Sequence, residues 1–257
     1  MNKRIWWLLS LPLLFFLLIP ILALLSRTSL SAILVSLGEP EVAQAVQLSF
    51  ATTLISLLLI LIFGTPLAYV LMSRRTRLTK LIDTIIDLPT VLPPSVAGIA
   101  LLLAFGRMGL LGSGLNALHV QIAFTQTAVV LAQMFVASPF YIKAAAIALA
   151  SVDTEMKQAA ALDGASPVQV FRYVTLPLAW QGLLSGAVMS WARALGEFGA
   201  TILFAGNLPG QTQTMPLAIY VGFEGNLDVA ITLSVILMTC AFGALLAAKV
   251  LLGSREP

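Results

Sequence analysis

Charge is scarce in this chain of 257 residues: only 10% are Asp, Glu, Lys or Arg, where an ordinary soluble domain carries about 25%. With 59% hydrophobic residues and a mean hydropathy of +0.99, that shortage excludes a water-soluble globule and leaves an integral membrane protein. Cysteine is nearly missing. Cys240 stands alone in the last apolar run, so neither an intrachain disulfide nor a cysteine metal cluster is available, and packing is its expected role. Histidine is equally rare. His119 falls in an expected outer loop, where the one nucleophile to hand is Ser113 of Gly112-Ser113-Gly114. Gly-Ser-Gly is ordinary loop chemistry, so an intramembrane serine hydrolase has little support, and full activity after Ser113→Ala would remove it. No catalytic residue and no metal site is expected. The pattern G-x-x-x-x-G-K-[ST] is absent, so the chain has no phosphate-binding loop of its own. Internal repeats and low-complexity tracts are also missing, which counts against the paired inverted halves of many secondary carriers.

What the chain has in quantity is apolar length. A span needs roughly 20 mostly apolar residues, and about six such runs are present. They lie near Ile5–Leu25, Leu48–Met72, Ile86–Phe105, Ala123–Ala150, Leu176–Ala205 and Val229–Leu252. Lys3 and Arg4 precede the first run as they would in a signal peptide. That run is longer than a usual apolar signal core and no small-x-small cleavage site follows, so it reads as a retained span. Connections are short, leaving room for one membrane domain over residues 1–257. No regulatory domain is expected after the sixth run. Proline crowds two places: Pro89, Pro93 and Pro94 at the third run and Pro139 in the fourth, where helices kink or break.

Orientation follows from the basic residues, which stay in short cytoplasmic loops. With the N-terminus inside, the inner segments collect Lys3, Arg4, Arg74, Arg75, Arg77, Lys80, Lys157, Arg172, Lys249 and Arg255, and the outer loops hold only Arg27 and Arg107. Both termini are thus expected in the cytoplasm, in a multi-pass protein of the cell membrane. The same bias accounts for the net charge of +3 and the pI near 9.2, so nucleic acid is not an expected partner. The Arg74–Lys80 cluster can also contact anionic lipid, though topology explains it more simply.

Residues 151–175 are too polar to span and too patterned for a plain linker. Ser151 or Asp153 can cap a short helix, Glu155 suits its first turn, and Gly164 can end it in a left-handed conformation. Ser166 and Pro167 then read as N-cap and first residue of a second short helix toward Val174. The expected product is a helix–turn–helix elbow outside the membrane. Ala159, Ala160 and Ala161 on its first helix allow close approach by another surface, although an amphipathic loop lying on the membrane remains open.

Within Gln158-Ala159-Ala160-Ala161-Leu162-Asp163-Gly164, the alanines, Gly164 and the later Leu176-Pro177 resemble the "EAA" signature of the membrane subunits of ABC importers. The usual leading Glu is Gln158 here, which puts a charge-pair role there in doubt but leaves a hydrogen bond possible. The resemblance implies a type I ABC importer permease fold, all-α, whose elbow is a coupling helix. Gln158, Ala159, Ala160, Gly164, Ala165, Leu176 and Pro177 would form the docking surface for a separate ATPase subunit. It implies further that ATP and Mg are used by that partner and no cofactor by this chain, which is itself no enzyme. Two membrane subunits, expected as a homodimer, and an external solute-binding protein complete the implied assembly.

Two other segments narrow the resemblance. Leu88–Gly98 and Ala192–Thr201, strengthened by Gly206–Tyr220, are similar to the molybdate-type branch of the sulfate/molybdate permeases. The sulfate branch more often has Tyr and Ser where Phe198 and Ala200 stand, so the resemblance tilts toward molybdate or tungstate. Sulfate or thiosulfate import is the alternative, and an ion-coupled oxyanion carrier a more distant one that gives the elbow no use.

Four residues are candidates for the translocation path. Arg193 and Glu197 are four apart and can pair on one face of the fifth run, either fixing its packing or lining a wet cavity. An Arg neutralised by Glu is a poor fixed anion site, so selection of the oxyanion is expected in the external protein. Ser190 and Thr201 can supply hydroxyls nearby, or bond helix carbonyls instead. Lys143, just after Pro139, reads as a snorkelling or interfacial base before a substrate ligand.

Overall fold

The computed structural model describes residues 3–73 and 76–253. Arg74, Arg75 and Arg255, counted among the cytoplasmic bases, lie outside the described residues, as do the side chains of Lys3 and Arg4. Among the described residues there is no strand. Helix is what a backbone must adopt where no water can bond it. In chain order the elements are α1 (Lys3–Ser26), α2 (Leu30–Leu37), α3 (Pro40–Ser73), α4 (Arg77–Val91), α5 (Pro94–Phe105), α6 (Gly112–Ala117), α7 (Gln126–Ala150), α8 (Thr154–Leu162) and α9 (Pro167–Val170). A π-helical turn, Phe171–Thr175, then leads to α10 (Leu176–Leu195), α11 (Gly199–Phe204), α12 (Met215–Gly225) and α13 (Leu227–Gly253).

Four unbroken stretches are long and apolar enough to cross a bilayer: Ile5–Ser26, Pro40–Met72, Gln126–Ala150 and Leu227–Val250. They correspond to the first, second, fourth and sixth runs, with α3 beginning well before the expected Leu48. The other two runs are broken. Within Ile86–Phe105, α4 and α5 meet at Leu92–Pro93 and are bent by 116°. Leu92 takes the extended conformation that a following proline enforces, and Pro94 opens α5. At 12 residues, α5 is only about 18 Å long and cannot cross alone. The expected span Leu176–Ala205 stops at Leu195, is capped by Gly196 and resumes only as the six-residue α11. With Gln181, Ser185, Ser190 and Arg193, α10 is less apolar than the four clean spans. The clean spans therefore number four, or five with the bent pair, where the sequence led us to expect about six.

The heart of the bundle is α3, α7 and α10, which bury Ile60, Tyr141, Leu149, Ala179 and Ala194 between them. Small residues let α10 approach α7 closely: a Cβ on Gly186 would lie 2.7 Å from the Ala144 Cβ. A second apolar cluster, including Leu101, Val129, Ala200 and Phe204, packs α5 and α11 on the first half of α7. A third joins Val42, Leu195, Met215 and Leu233 across α3, α10, α12 and α13. The proline inside α7 is locally satisfied. Pro139 cannot bond the Phe135 carbonyl, and the Ser138 hydroxyl donates to that oxygen instead, at 3.4 Å.

Candidate functional site: the elbow and the buried ion pair

The elbow is built by its caps. The Asp153 carboxylate accepts from the Glu155 N–H at 2.9 Å, so Asp153 and not Ser151 starts α8. Ser151 instead bonds the Ala148 carbonyl at the end of α7. At the far end the Ala165 N–H reaches the Ala160 carbonyl and the Gly164 N–H the Ala161 carbonyl, both at 3.1 Å. That is a Schellman motif, and Gly164 supplies its left-handed residue with φ +88°. Ala160, Gly164 and Ala165 thus have a shared structural reason, the tight stop of α8. Ser166 and Gln169 form a reciprocal capping box that starts α9. The π-turn carries this helix directly into α10, with Leu176 half-buried and its N–H on the Phe171 carbonyl five residues back, and with Pro177 in the first turn of α10.

No residue of α8 is buried. Gln158, Ala159 and Gly164 are exposed, Leu162 is 88% exposed and Val168 73%. Phe171 packs on the central apolar cluster, and two directed contacts help to hold this polar piece to the bundle. The Lys157 ammonium donates to the Leu149 carbonyl at 3.3 Å, and Phe171 meets Tyr69 of α3 edge-on at 5.1 Å. Beyond its chain neighbours, no atom of the described residues lies within 4 Å of a Cβ built on Gly164, so the turn presents open surface.

Arg193 and Glu197 do pair, Nη1 to Oε2 at 2.8 Å, but not along one helix. Glu197 sits in the break after α10, 1% exposed, and its other oxygen accepts from the Ala200 N–H at 2.8 Å, closing the start of α11. Arg193 keeps 29% of its side chain open. Ser190, fully buried, donates to the Ala137 carbonyl of α7 at 2.9 Å and so ties two helices. Thr201 is fully buried with its hydroxyl unpartnered. Of the four residues named for the path, the ion pair is brought together while Ser190 and Thr201 face helix packing.

The sequence reading missed further polar ties. Ser49 accepts from the Met215 N–H at the head of α12, 2.7 Å, and the Trp191 indole donates to Thr53 at 3.1 Å. Lys143, read as a snorkelling or interfacial base, is ion-paired: its ammonium bridges Asp83 at 2.5 Å and Asp87 at 2.9 Å, both on α4. The signal was present, since the two acids are four apart, on one helix face, and Lys143 is the one charged residue of the otherwise uncharged α7.

A bundle of spans with a broken penultimate crossing and a capped elbow is the fold of type I ABC importer permeases. A solved bacterial alginate ABC transporter, in complex with an alginate pentasaccharide-bound periplasmic protein, has the same fold over 98% of this chain and 95% of its own, with TM-score 0.72 and 19% identity. Residues 60–251 match the family described as binding-protein-dependent transport system inner membrane component, and the chain belongs to that family. It is 40% identical to the molybdenum transport system permease protein ModB of Mycobacterium tuberculosis, over 94% of this chain and 90% of that protein. The probable transport system permease protein NifC of Clostridium pasteurianum is 37% identical over 90% of this chain and 81% of its own. A probable sulfate transport system permease protein, cysT of Nephroselmis olivacea, is 33% identical over 87% and 81% respectively.

Proposed function

We propose that this membrane subunit passes molybdate, or the near-isosteric tungstate, into the cell, driven by ATP hydrolysed in a separate subunit. The observation behind the reading is the elbow. Its first helix has no buried residue, is capped at both ends and carries exposed Leu162, and its second carries exposed Val168, apolar groups that suit a groove on a partner. A nine-residue helix is marginal alone in water, so its capping speaks for a rigid docking piece. The docking residues are Gln158, Ala159, Ala160, Gly164 and Ala165, with Leu176 and Pro177 setting the angle into α10. ATP and Mg stay with the ATPase, and this chain performs no catalysis. A second copy completes the path, an external binding protein delivers the oxyanion, and both termini face the cytoplasm. Relatives named for molybdenum support the substrate more strongly than the sulfate relative, which keeps sulfate as the second reading.

Glu197 neutralises Arg193, so the pair is read as an element of the path's frame, with oxyanion selection left to the external protein. The test is labelled uptake into proteoliposomes holding this chain, its ATPase and its binding protein. ATP-dependent uptake of molybdate or tungstate and not sulfate is the expected result. Sulfate uptake would move the assignment to the second reading, and ATP-independent uptake would overturn the coupled mechanism.

A further inference from the structure

The two halves of α7 hold their neighbours by different chemistry. In its first half, α5 and α11 are fixed by close apolar packing: a Cβ on Gly98 would lie 2.8 Å from the Ala200 carbonyl oxygen, and one on Gly199 2.6 Å from Pro94. In its second half, past Pro139, α4 rests on α7 and barely touches α3. There Ile86 of α4 packs on the apolar cluster around Tyr141 and Ile142, and beside it the tie is ionic. Lys143 reaches across to Asp83 and Asp87, which sit one turn apart on α4. Beside this triad an open groove of about 440 Å³ runs from Met72 past Thr79 to Ala150, with Lys80, Asp83 and Lys143 among its lining residues.

The same half of α7 leads straight to the elbow. α8 begins three residues after α7 ends, the Lys157 ammonium is fastened to the Leu149 carbonyl, and α10 is packed glycine-to-alanine on α7. The elbow, the inner half of α7 and α10 therefore form one piece. The bent α4–α5 pair with α11 forms another, carrying the start of α11 where Glu197 is bound. Of the routes by which a load at the elbow can reach α4, which include a few contacts with α3 and the α5–α11 pair on the same α7, this seam is the direct one.

We propose that Lys143, with Asp83 and Asp87, is the tie that makes the bent α4–α5 pair follow the elbow, positioning the inner end of the translocation path during each ATP cycle. The proposal rests on the ATP-driven reading above. Three charges give a tie that is directional and exchanges water on parting, which apolar packing would not. The test is the number of oxyanions carried per ATP in the complete proteoliposome system, for the native chain, Lys143→Met, and the reciprocal exchange Lys143→Glu with Asp83→Lys.

Lys143→Met is expected to keep ATP hydrolysis while oxyanions per ATP fall at least about fivefold, the lower edge of usual site-to-site coupling. The exchange variant is expected to recover most of that loss. A Lys143→Met complex with an unchanged ratio, or uptake and hydrolysis falling together, would overturn the proposal. A second measurement needs no substrate. Nucleotide added to the complex should alter amide hydrogen exchange across residues 77–91 in the native chain and leave it unaltered in Lys143→Met; equal responses would overturn the tie even if the substrate reading fails.

Discussion

At the scale of single residues, the elbow turns on Gly164. Its φ of +88° belongs to the left-handed region, and a side chain there strains the backbone by about 1–2 kcal/mol, while its Cβ has open space beyond the chain neighbours among the described residues. Asn tolerates that conformation better than most residues. Gly164→Asp is therefore expected to insert and fold but to lose most ATP-driven uptake, and Gly164→Asn to lose less, because only the first puts a charge on the docking surface. Equal uptake by native and Gly164→Asp complexes would remove this residue from the interface. Glu197 poses a different question. Glu197→Ala leaves Arg193 without its carboxylate and the Ala200 N–H without an acceptor, and removal of one partner of a buried pair costs about 3–5 kcal/mol. A large drop in the thermal midpoint in detergent is expected, and a midpoint unchanged from the native chain would show the pair to be structurally idle. The capping residues were legible from sequence, since Asp153, Gly164 and Ser166 act through local hydrogen bonds that depend on chain neighbours only. Ser49 and Thr53 were not, because their partners Met215 and Trp191 lie more than a hundred residues away.

At the scale of elements, close packing of α10 on α7 sets the geometry from which the elbow hangs. Gly186→Leu adds a branched side chain where even a Cβ falls 2.7 Å from Ala144, so overpacking should cost about 1–3 kcal/mol or force the helices apart. Lower yield of folded protein and faster hydrogen exchange in residues 176–195 are the readouts; native behaviour of both would mean that the seam is looser than drawn. Four spans were legible because twenty or so apolar residues leave no other solution in lipid. The other two were not. The averaged apolar character of the fifth run carries across Leu195-Gly196-Glu197-Phe198-Gly199, yet the helix ends there, where buried Glu197 turns its carboxylate onto the Ala200 N–H and onto Arg193. Hydropathy averages over that exchange of a helical bond for two side-chain bonds to near neighbours in the chain. The bend before α5 was half-legible: Pro93 and Pro94 announced a break, while its angle of 116° depends on α5 nesting against α11.

At the scale of the whole molecule, the elbow, the termini and the basic residues must share one side of the membrane for the mechanism to work. Among the described residues Arg77, Lys80, Lys157 and Arg172 cluster around α4 and the elbow, while Arg27 and Arg107 stand at the opposite ends of α1 and α5. Moving that inner set across the bilayer would oppose the positive-inside preference at every loop at once. Single cysteines placed at Leu162, 88% exposed on the elbow, and at Met108, fully exposed beyond α5, report the orientation once Cys240 is replaced by Ser. In intact cells a membrane-impermeant maleimide should label Met108→Cys and spare Leu162→Cys, and permeabilised cells should label both. The opposite pattern would put the elbow outside, beyond reach of any cytoplasmic ATPase, and would exclude ATP-driven import whatever the substrate. Adding the ATPase subunit to inside-out vesicles supplies the complementary reading. Protection of Leu162→Cys there, with Lys157 and the π-turn still holding α8 to the bundle, is what a docked coupling helix requires.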